Sequence, residues 1–238
     1  MTIKVAVVGA TGRMGKLVLD LIDASQHTSL HAALDSKSEL SEVLGADVVF
    51  EVTRLEVSEQ VVDYCVANGL KVVVGTSGWS ASKLEQLSPK VAGAAGTVVV
   101  IPNFSVGSML ASRFAAEAAK HFASIEIVEA HHANKVDSPS GTAIRTAELI
   151  AKSRDNQPLI VGADQEARGQ IVSGVPIHSL RLSGVSAKQD VLLGGDSEVL
   201  TISHETSSVY AYSAGILASI RFAAANKGLF VGLETVLA

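Results

Sequence analysis

The feature that most constrains this chain lies at its start. Ile3 to Val8 is an apolar, largely β-branched run that breaks at Gly9-Ala10-Thr11-Gly12-Arg13-Met14-Gly15, after which Leu17, Val18, Leu21 and Ile22 recur at helical spacing. Strand, glycine turn and helix in that order restrict the chain to a few α/β architectures. Glycines permit the tight turn and let backbone N–H groups approach a phosphate, and the helix N-terminus adds a favourable dipole. The spacing G-x-x-G-x-x-G is a variant of the dinucleotide fingerprint. Asp35 follows Gly15 by 20 residues, at the end of a second apolar segment, Leu30 to Leu34. An acid placed there accepts hydrogen bonds from an adenosine ribose. Because Lys37 and Arg13 are placed to meet a 2′-phosphate, NADH and NADPH both remain open as cofactors. The competing reading is a glycine-rich turn that binds nothing.

The alternation continues. Strands are expected at Asp47 to Val52, Lys71 to Val74 and Thr97 to Ile101, and helices at Val57 to Ala67 and around Ser80 to Leu87. Strands apolar on both faces and separated by helices indicate a parallel, doubly wound sheet, whose ligands sit beyond the carboxyl ends of its strands. Gly9 to Met14, Asp35, Thr53-Arg54, Gly75-Thr76-Ser77 and Ile101-Pro102-Asn103-Phe104 all fall at those ends.

From Val106 the pattern Val106, Met109, Leu110, Phe114, Ala118, Phe122 predicts an amphipathic helix, with Arg113 and Glu117 as an i,i+4 pair on its other side. A strand is expected at Ser124 to His131 and a helix at Gly141 to Lys152, followed by a polar loop region from Ser153 to Gln170. Ile177 to Leu182, Asp190 to Leu193 and Glu198 to His204 read as strands of a second sheet. A final helix spans about Ser213 to Ala225, with Gly228 as its expected C-cap.

Several function classes are disfavoured. A net charge of −5 and a pI of about 5.8 lack the basic stripe of a nucleic-acid footprint, and the low aromatic share leaves few platforms for stacking bases. Val209 to Ala225, interrupted by Ser213, Ser219 and Arg221, reads as a buried helix and not a membrane span. The single cysteine, Cys65, makes no internal bridge, and with no secretory leader at the start a cytoplasmic setting is expected. Cys65 sits on the apolar side of a helix, which argues against thiol-dependent aldehyde oxidation.

The densest chemistry lies between Glu126 and Ala143, E-I-V-E-A-H-H-A-N-K-V-D-S-P-S-G-T-A. Side chains alternate along a strand, so Ile125, Ile127, Glu129 and His131 share one face. If the strand persists, only one of His131 and His132 faces a cleft; if it ends at Ala130, both do. Glu129 is placed to orient the imidazole of His131. Pro139 precedes Ser140-Gly141-Thr142, which opens a helix whose N–H groups attract a carboxylate or phosphate. Ordinary N-capping by Ser140 without a ligand is the alternative. Lys135 adds a full positive charge and tilts the pair toward an anionic substrate. A zinc site from His131, His132 and Asp137 is disfavoured, since no H-E-x-x-H spacing or cysteine ligand set accompanies them. His178 and His204 share strand parity with apolar residues and read as packed against structure.

The run E-A-H-H-x-x-K-x-D-x-P-S-G-T-A, together with G-x-x-G-R-M-G, V-G-T-S-G and P-N-F-S-V-G, closely resembles dihydrodipicolinate reductase over nearly the whole chain. The resemblance implies a cytoplasmic, homotetrameric enzyme that reduces a cyclic imine dicarboxylate with NADH or NADPH in the diaminopimelate route to lysine. It implies a dinucleotide-binding domain over 1–105 and 213–238. A smaller α+β domain with an open mixed sheet, serving substrate binding and oligomerisation, would span 106–212. His131 would be the proton donor, His132 a substrate contact, Lys135 a second proton donor that also holds a carboxylate, and Gly141-Thr142 the cradle of the other carboxylate. Gly9 to Met14, Asp35, Gly75 to Ser77 and Ile101 to Phe104 would hold the cofactor. Two departures stand out: Glu51-Val52-Thr53 replaces the usual D-F-T, and Val209 replaces arginine in an S-S-R run. The rival readings are another dehydrogenase of a small amino acid such as aspartate, and a nucleotide sensor without catalysis.

Overall fold

A computed structural model describes residues 2–155, 157–163 and 165–238. The chain divides into two compact units, Met1–Val106 with Val209–Ala238, and Gly107–Ser208.

The first unit is built on a parallel six-stranded sheet. Its elements are β1 (Ile3–Val8), α1 (Arg13–Ala24), β2 (Thr28–Leu34), β3 (Val48–Glu51), α2 (Leu55–Ala67), β4 (Lys71–Val74), α3 (Ala81–Ala92), β5 (Thr97–Val100), α6 (Ser213–Ala225), β11 (Gly228–Val231) and α7 (Leu233–Val236). The strand order β11-β5-β4-β3-β1-β2 reverses direction between β1 and β3. The carboxyl ends of those two strands therefore flank the crevice where such sheets bind ligands. The core packs the valine-rich strands against Val61, Val62, Cys65, Leu87 and Val91. Cys65 is fully buried, and burial together with the charge of Glu51 pushes its thiol up to about 12, so it is inert as a nucleophile.

Several details differ from the sequence-based expectation, among them α3, the end of α6 and β11. α3 runs beyond Leu87 to Ala92 despite Pro89, because Val91 is buried against the sheet and holds the last turn in place. Gly228 is not a helix cap: Asn226 takes that position, its N–H donating to the Phe222 carbonyl, and Gly228 opens β11. This short edge strand pairs in parallel with β5 through Leu229, Phe230 and Val231, a run too short and too exposed to announce itself by periodicity.

The second unit contains α4 (Val106–Ala118, whose first residue closes unit one), β6 (Ser124–His131), α5 (Gly141–Ser153), β7 (Gln170–Val172), β8 (Val175–Arg181), β9 (Ala187–Gly195) and β10 (Glu198–Thr206). Its sheet has the order β10-β9-β6-β8-β7, with β6 and β8 parallel and the other pairs antiparallel. One face carries the core of Ile125, Ile127, Ile177, Val191 and Leu193, on which α5 lays Ala143, Ala147 and Ile150. α4 meets this core differently from its apolar stripe. Its buried residues are Ser108, Ser112 and Ala115, whereas Phe114 is exposed. The Ser112 hydroxyl lies 2.8 Å from that of Thr146 on α5, so small residues permit the close approach and a hydroxyl pair satisfies the buried polar atoms. Glu117 pairs with Lys120, three residues on, instead of with Arg113. Among the described residues no helix is long and apolar enough to cross a membrane.

Candidate active site

In the second unit the chemistry converges on a buried carboxylate. β6 continues through His131, so Glu129 and His131 share a face while His132 leaves the strand into a turn, its carbonyl accepting the Lys135 N–H. Of the two histidines, His131 is therefore the one held by the sheet, and His132 is exposed. Glu129 is fully buried and accepts from His131, Arg181, Ser140 and Ser179. His131 Nδ1 lies 2.6 Å from its Oε2, Arg181 Nη1 and Nη2 donate to Oε2 and Oε1 at 3.0 Å each, and the Ser140 N–H donates to Oε1 at 3.2 Å. Burial pushes this carboxyl up, but the hydrogen bonds from Arg181, Ser179 and His131 and the Arg181 charge outweigh it, and the group is held below the ordinary carboxylate value. An ionised carboxylate only accepts, so the imidazole hydrogen on Nδ1 points at Glu129 and Nε2 is left for other partners.

A carboxyl whose native pKa is depressed stabilises the fold fully above its unfolded value, and that contribution is lost as pH falls through the lowered native value. Glu129 and Asp137 both shift this way, the latter chiefly through its hydrogen bond from Lys135. Thermal midpoints should therefore hold level from neutral pH down to about pH 5 and drop below it. Melting curves across that range check this, and a Glu129→Gln variant should show a shallower acid drop.

The remaining segment completes the site. Lys135 Nζ is chelated by both oxygens of Asp137, at 2.6 and 2.7 Å. Arg181 Nη2 donates to the Asp137 carbonyl at 2.7 Å, which holds this turn to the sheet. Ser140 is buried, and its own groups are committed: the hydroxyl caps α5 by accepting the Ala143 N–H at 3.2 Å, and its N–H meets Glu129. Ordinary N-capping is thus real at Ser140, and the open position of the turn is Gly141, where an added Cβ would meet nothing within 4 Å. Thr142 supplies its carbonyl to the Thr146 hydroxyl at 2.9 Å. His178 Nε2 lies 2.8 Å from Glu126, which also binds Arg168, so His178 is tied into a separate ion cluster. No group of His, Cys, Asp or Glu able to hold a metal occurs among the described residues. The residue that sequence reasoning missed is Arg181. It stands opposite His131 in the parallel β6/β8 register, and no local motif marks it.

In the first unit the glycine turn meets the steric test for a phosphate-binding loop. Gly9 has φ +90°, and a Cβ there would lie 2.4 Å from the Val52 carbonyl oxygen; at Gly15 it would lie 2.2 Å from the Gly9 carbonyl oxygen. Turn and helix therefore pack backbone to backbone. α1 has Gly12 as its N-cap, with no side-chain cap and no acidic residue in its first turn, leaving its N-terminal N–H groups for an anion. Asp35 is exposed, and its Oδ1 accepts the Lys37 N–H at 2.8 Å, which fixes the loop after β2. Thr76 is buried, as are Ile101 and Phe104.

The departure at Glu51 gains a structural account. Its carboxylate, fully buried, accepts the Thr53 N–H at 2.7 Å, the Thr53 hydroxyl at 2.5 Å and the Thr76 hydroxyl at 2.8 Å, and also the hydroxyl of Ser58. Trp79 Nε1 donates to Ser58 Oγ at 3.1 Å. The longer glutamate thus laces the connection after β3, whose end borders the crevice, to the one after β4.

Comparison with known proteins bears on both units. A family model described as dihydrodipicolinate reductase, N-terminus, matches residues 3–104, and one described as dihydrodipicolinate reductase, C-terminus, matches residues 107–237. The chain is 53% identical over 240 residues to a 4-hydroxy-tetrahydrodipicolinate reductase of Clavibacter sepedonicus, covering 100% of this chain and 87% of that one. It is 42% identical over 244 residues to the enzyme of the same name from Streptomyces griseus, covering 99% and 98%. Among solved structures, a dipicolinate-bound dihydrodipicolinate reductase from Paenisporosarcina sp. TG-14 superposes with a TM-score of 0.84 at 32% identity, covering 99% of each chain.

Proposed function

The chain belongs to the dihydrodipicolinate reductase family, and from that membership we propose how its own residues carry the reaction. It is an NAD(P)H-dependent 4-hydroxy-tetrahydrodipicolinate reductase of the diaminopimelate route to lysine. Conversion to tetrahydrodipicolinate consumes one hydride and one proton and releases water. The bound nucleotide supplies the hydride. Unit one is the dinucleotide-binding domain, with Gly9 to Met14 and the start of α1 on the pyrophosphate, Asp35 on the adenosine ribose, and Gly75 to Ser77 and Ile101 to Phe104 along the rest of the cofactor. Unit two is the substrate domain.

The observation that carries the chemistry is the 2.6 Å contact of His131 Nδ1 with buried Glu129. A carboxylate on Nδ1 orients the ring and leaves Nε2 for the substrate, so we assign Nε2 as the atom that delivers a proton as negative charge develops on the reduced imine. Lys135 Nζ, in the loop that follows β6, is the second donor and meets a substrate carboxylate in place of Asp137. The other carboxylate takes the N-terminus of α5 at Gly141, where space is open, and Thr142, with His132 as a further substrate contact. A small dicarboxylate suits this pairing of a cation with a helix start.

We place the enzyme in the cytoplasm as a homotetramer. In support of assembly, the uncovered face of the second sheet carries Val128, Leu180, Leu192 and Val199 on one side, with Leu180 45% and Val199 67% exposed.

Pure protein with freshly generated substrate and each reduced nucleotide should oxidise NADH or NADPH in a substrate-dependent way. A flat trace with both nucleotides would leave the sensor reading, and turnover with aspartate in the reverse direction would favour the amino-acid dehydrogenase.

A further inference from the structure

A single guanidinium holds both arms of the proposed site. Arg181 grips the two oxygens of Glu129 at 3.0 Å each, and the same Nη2 reaches the Asp137 carbonyl at 2.7 Å. The first contact leads directly to His131 through Glu129 Oε2, and to the start of α5 through Oε1 and the Ser140 N–H. The second fixes the residue whose carboxylate chelates Lys135. The parallel register sets Arg181 opposite His131, so the link spans adjacent strands and needs no flexible loop.

We propose that Arg181 is a positioning residue of the reductase: it holds Glu129 as a buried carboxylate aimed at His131 and anchors the Lys135 loop in register with it. The inference rests on the reading of His131 as proton donor. Among the described residues the charged or titratable groups bonded to the carboxylate are His131 on its own strand and Arg181 on β8, with Asp137 and Lys135 of the loop joined through Arg181. β9 presents the neutral Gln189, which donates to Thr146 of α5. A buried carboxylate without its cation is strongly unfavourable and takes up a proton instead. Protonated Glu129 no longer offers His131 two acceptor oxygens of full charge, and the ring loses its orientation. Lysine at position 181 restores a charge but has no planar fork to hold both oxygens and the Asp137 carbonyl together.

The test compares Arg181→Gln, Arg181→Lys and His131→Ala in the intact enzyme, reading kcat, nucleotide KM, thermal midpoint and the pH profile of kcat. Arg181→Gln should lose about 10²-fold in kcat, the scale of a misplaced catalytic group, while nucleotide KM stays within about twofold of wild type. The acid limb of its profile should move to higher pH, since the interactions that hold the Glu129 carboxyl low are gone. Arg181→Lys should recover part of the rate and part of the limb shift. Wild-type kcat with an unmoved acid limb in Arg181→Gln overturns the proposal, as does a loss of rate that only tracks the folded fraction. Should the glutamine variant fail to fold, the lysine variant decides: a wild-type rate and profile there also overturn it. Full activity in His131→Ala would instead remove the reading of His131, whatever the Arg181 variants do.

Discussion

Replacing His131 with alanine should lower kcat by about 10²–10⁴-fold, the range for a positioned general acid, with the fold retained. The ring is held by Glu129 and by its place at the end of β6, and His131 is not part of either hydrophobic core. Removing it leaves Glu129 still bound by Arg181 and the Ser140 N–H, so the carboxylate stays compensated and stability changes little. Lys135→Ala should cost a similar factor but divide it differently. Lys135 is assigned both a proton and a carboxylate, so substrate KM should rise as kcat falls. Steady-state rates of nucleotide oxidation for the two variants separate the roles, and wild-type turnover in either would remove that residue from the mechanism.

The second large effect is expected at Gly15. An alanine Cβ there would sit 2.2 Å from the Gly9 carbonyl oxygen and 2.7 Å from Ala10 Cα, both main-chain atoms that have no rotamer to escape into. α1 must move off the turn, at a cost of about 1–3 kcal/mol or more. Nucleotide affinity should fall with it, because the N–H groups proposed to meet the pyrophosphate belong to the displaced end. Gly141→Ala is the informative contrast. Open space surrounds that position, so the thermal midpoint should stay at the wild-type value while substrate KM rises from crowding of the carboxylate site. Calorimetric nucleotide binding and melting curves on the pair distinguish the outcomes; a Gly15→Ala protein that melts and binds like wild type would refute the close packing assigned to α1.

Much of the architecture was legible because it rests on local order. The apolar run Ile3–Val8, the glycine turn and the helical spacing after it describe β1 and α1 without any distant contact. The same holds for β4, β6 and α6, whose ends were read correctly from patterns a few residues long. The family motif likewise lies in one continuous stretch, so the histidines, Lys135 and the α5 start were visible as neighbours. The alternation of side chains along β6 pairs Glu129 with His131 on one face, and the 2.6 Å contact agrees with it.

Other features depend on which segments meet. α4 shows an apolar stripe in sequence, yet it turns Ser112 and Ala115 inward and leaves Phe114 59% exposed, because close packing on α5 selects small residues over large ones. β11 forms only because β5 offers it an edge. Glu51 reads as a departure from a motif until Thr53, Ser58 and Thr76 gather around it from two separate connections. Arg181 is the sharpest case. Nothing near it in sequence distinguishes it from any arginine at a strand end. What gives it a partner is the parallel register of β6 and β8, and that register arises from the burial of Ile127 and Ile177 on a common face. Periodicity and motif determined which elements form and where the histidines and Lys135 lie along the chain. Strand register, which is set by packing over the whole sheet, decided which buried charge steadies them.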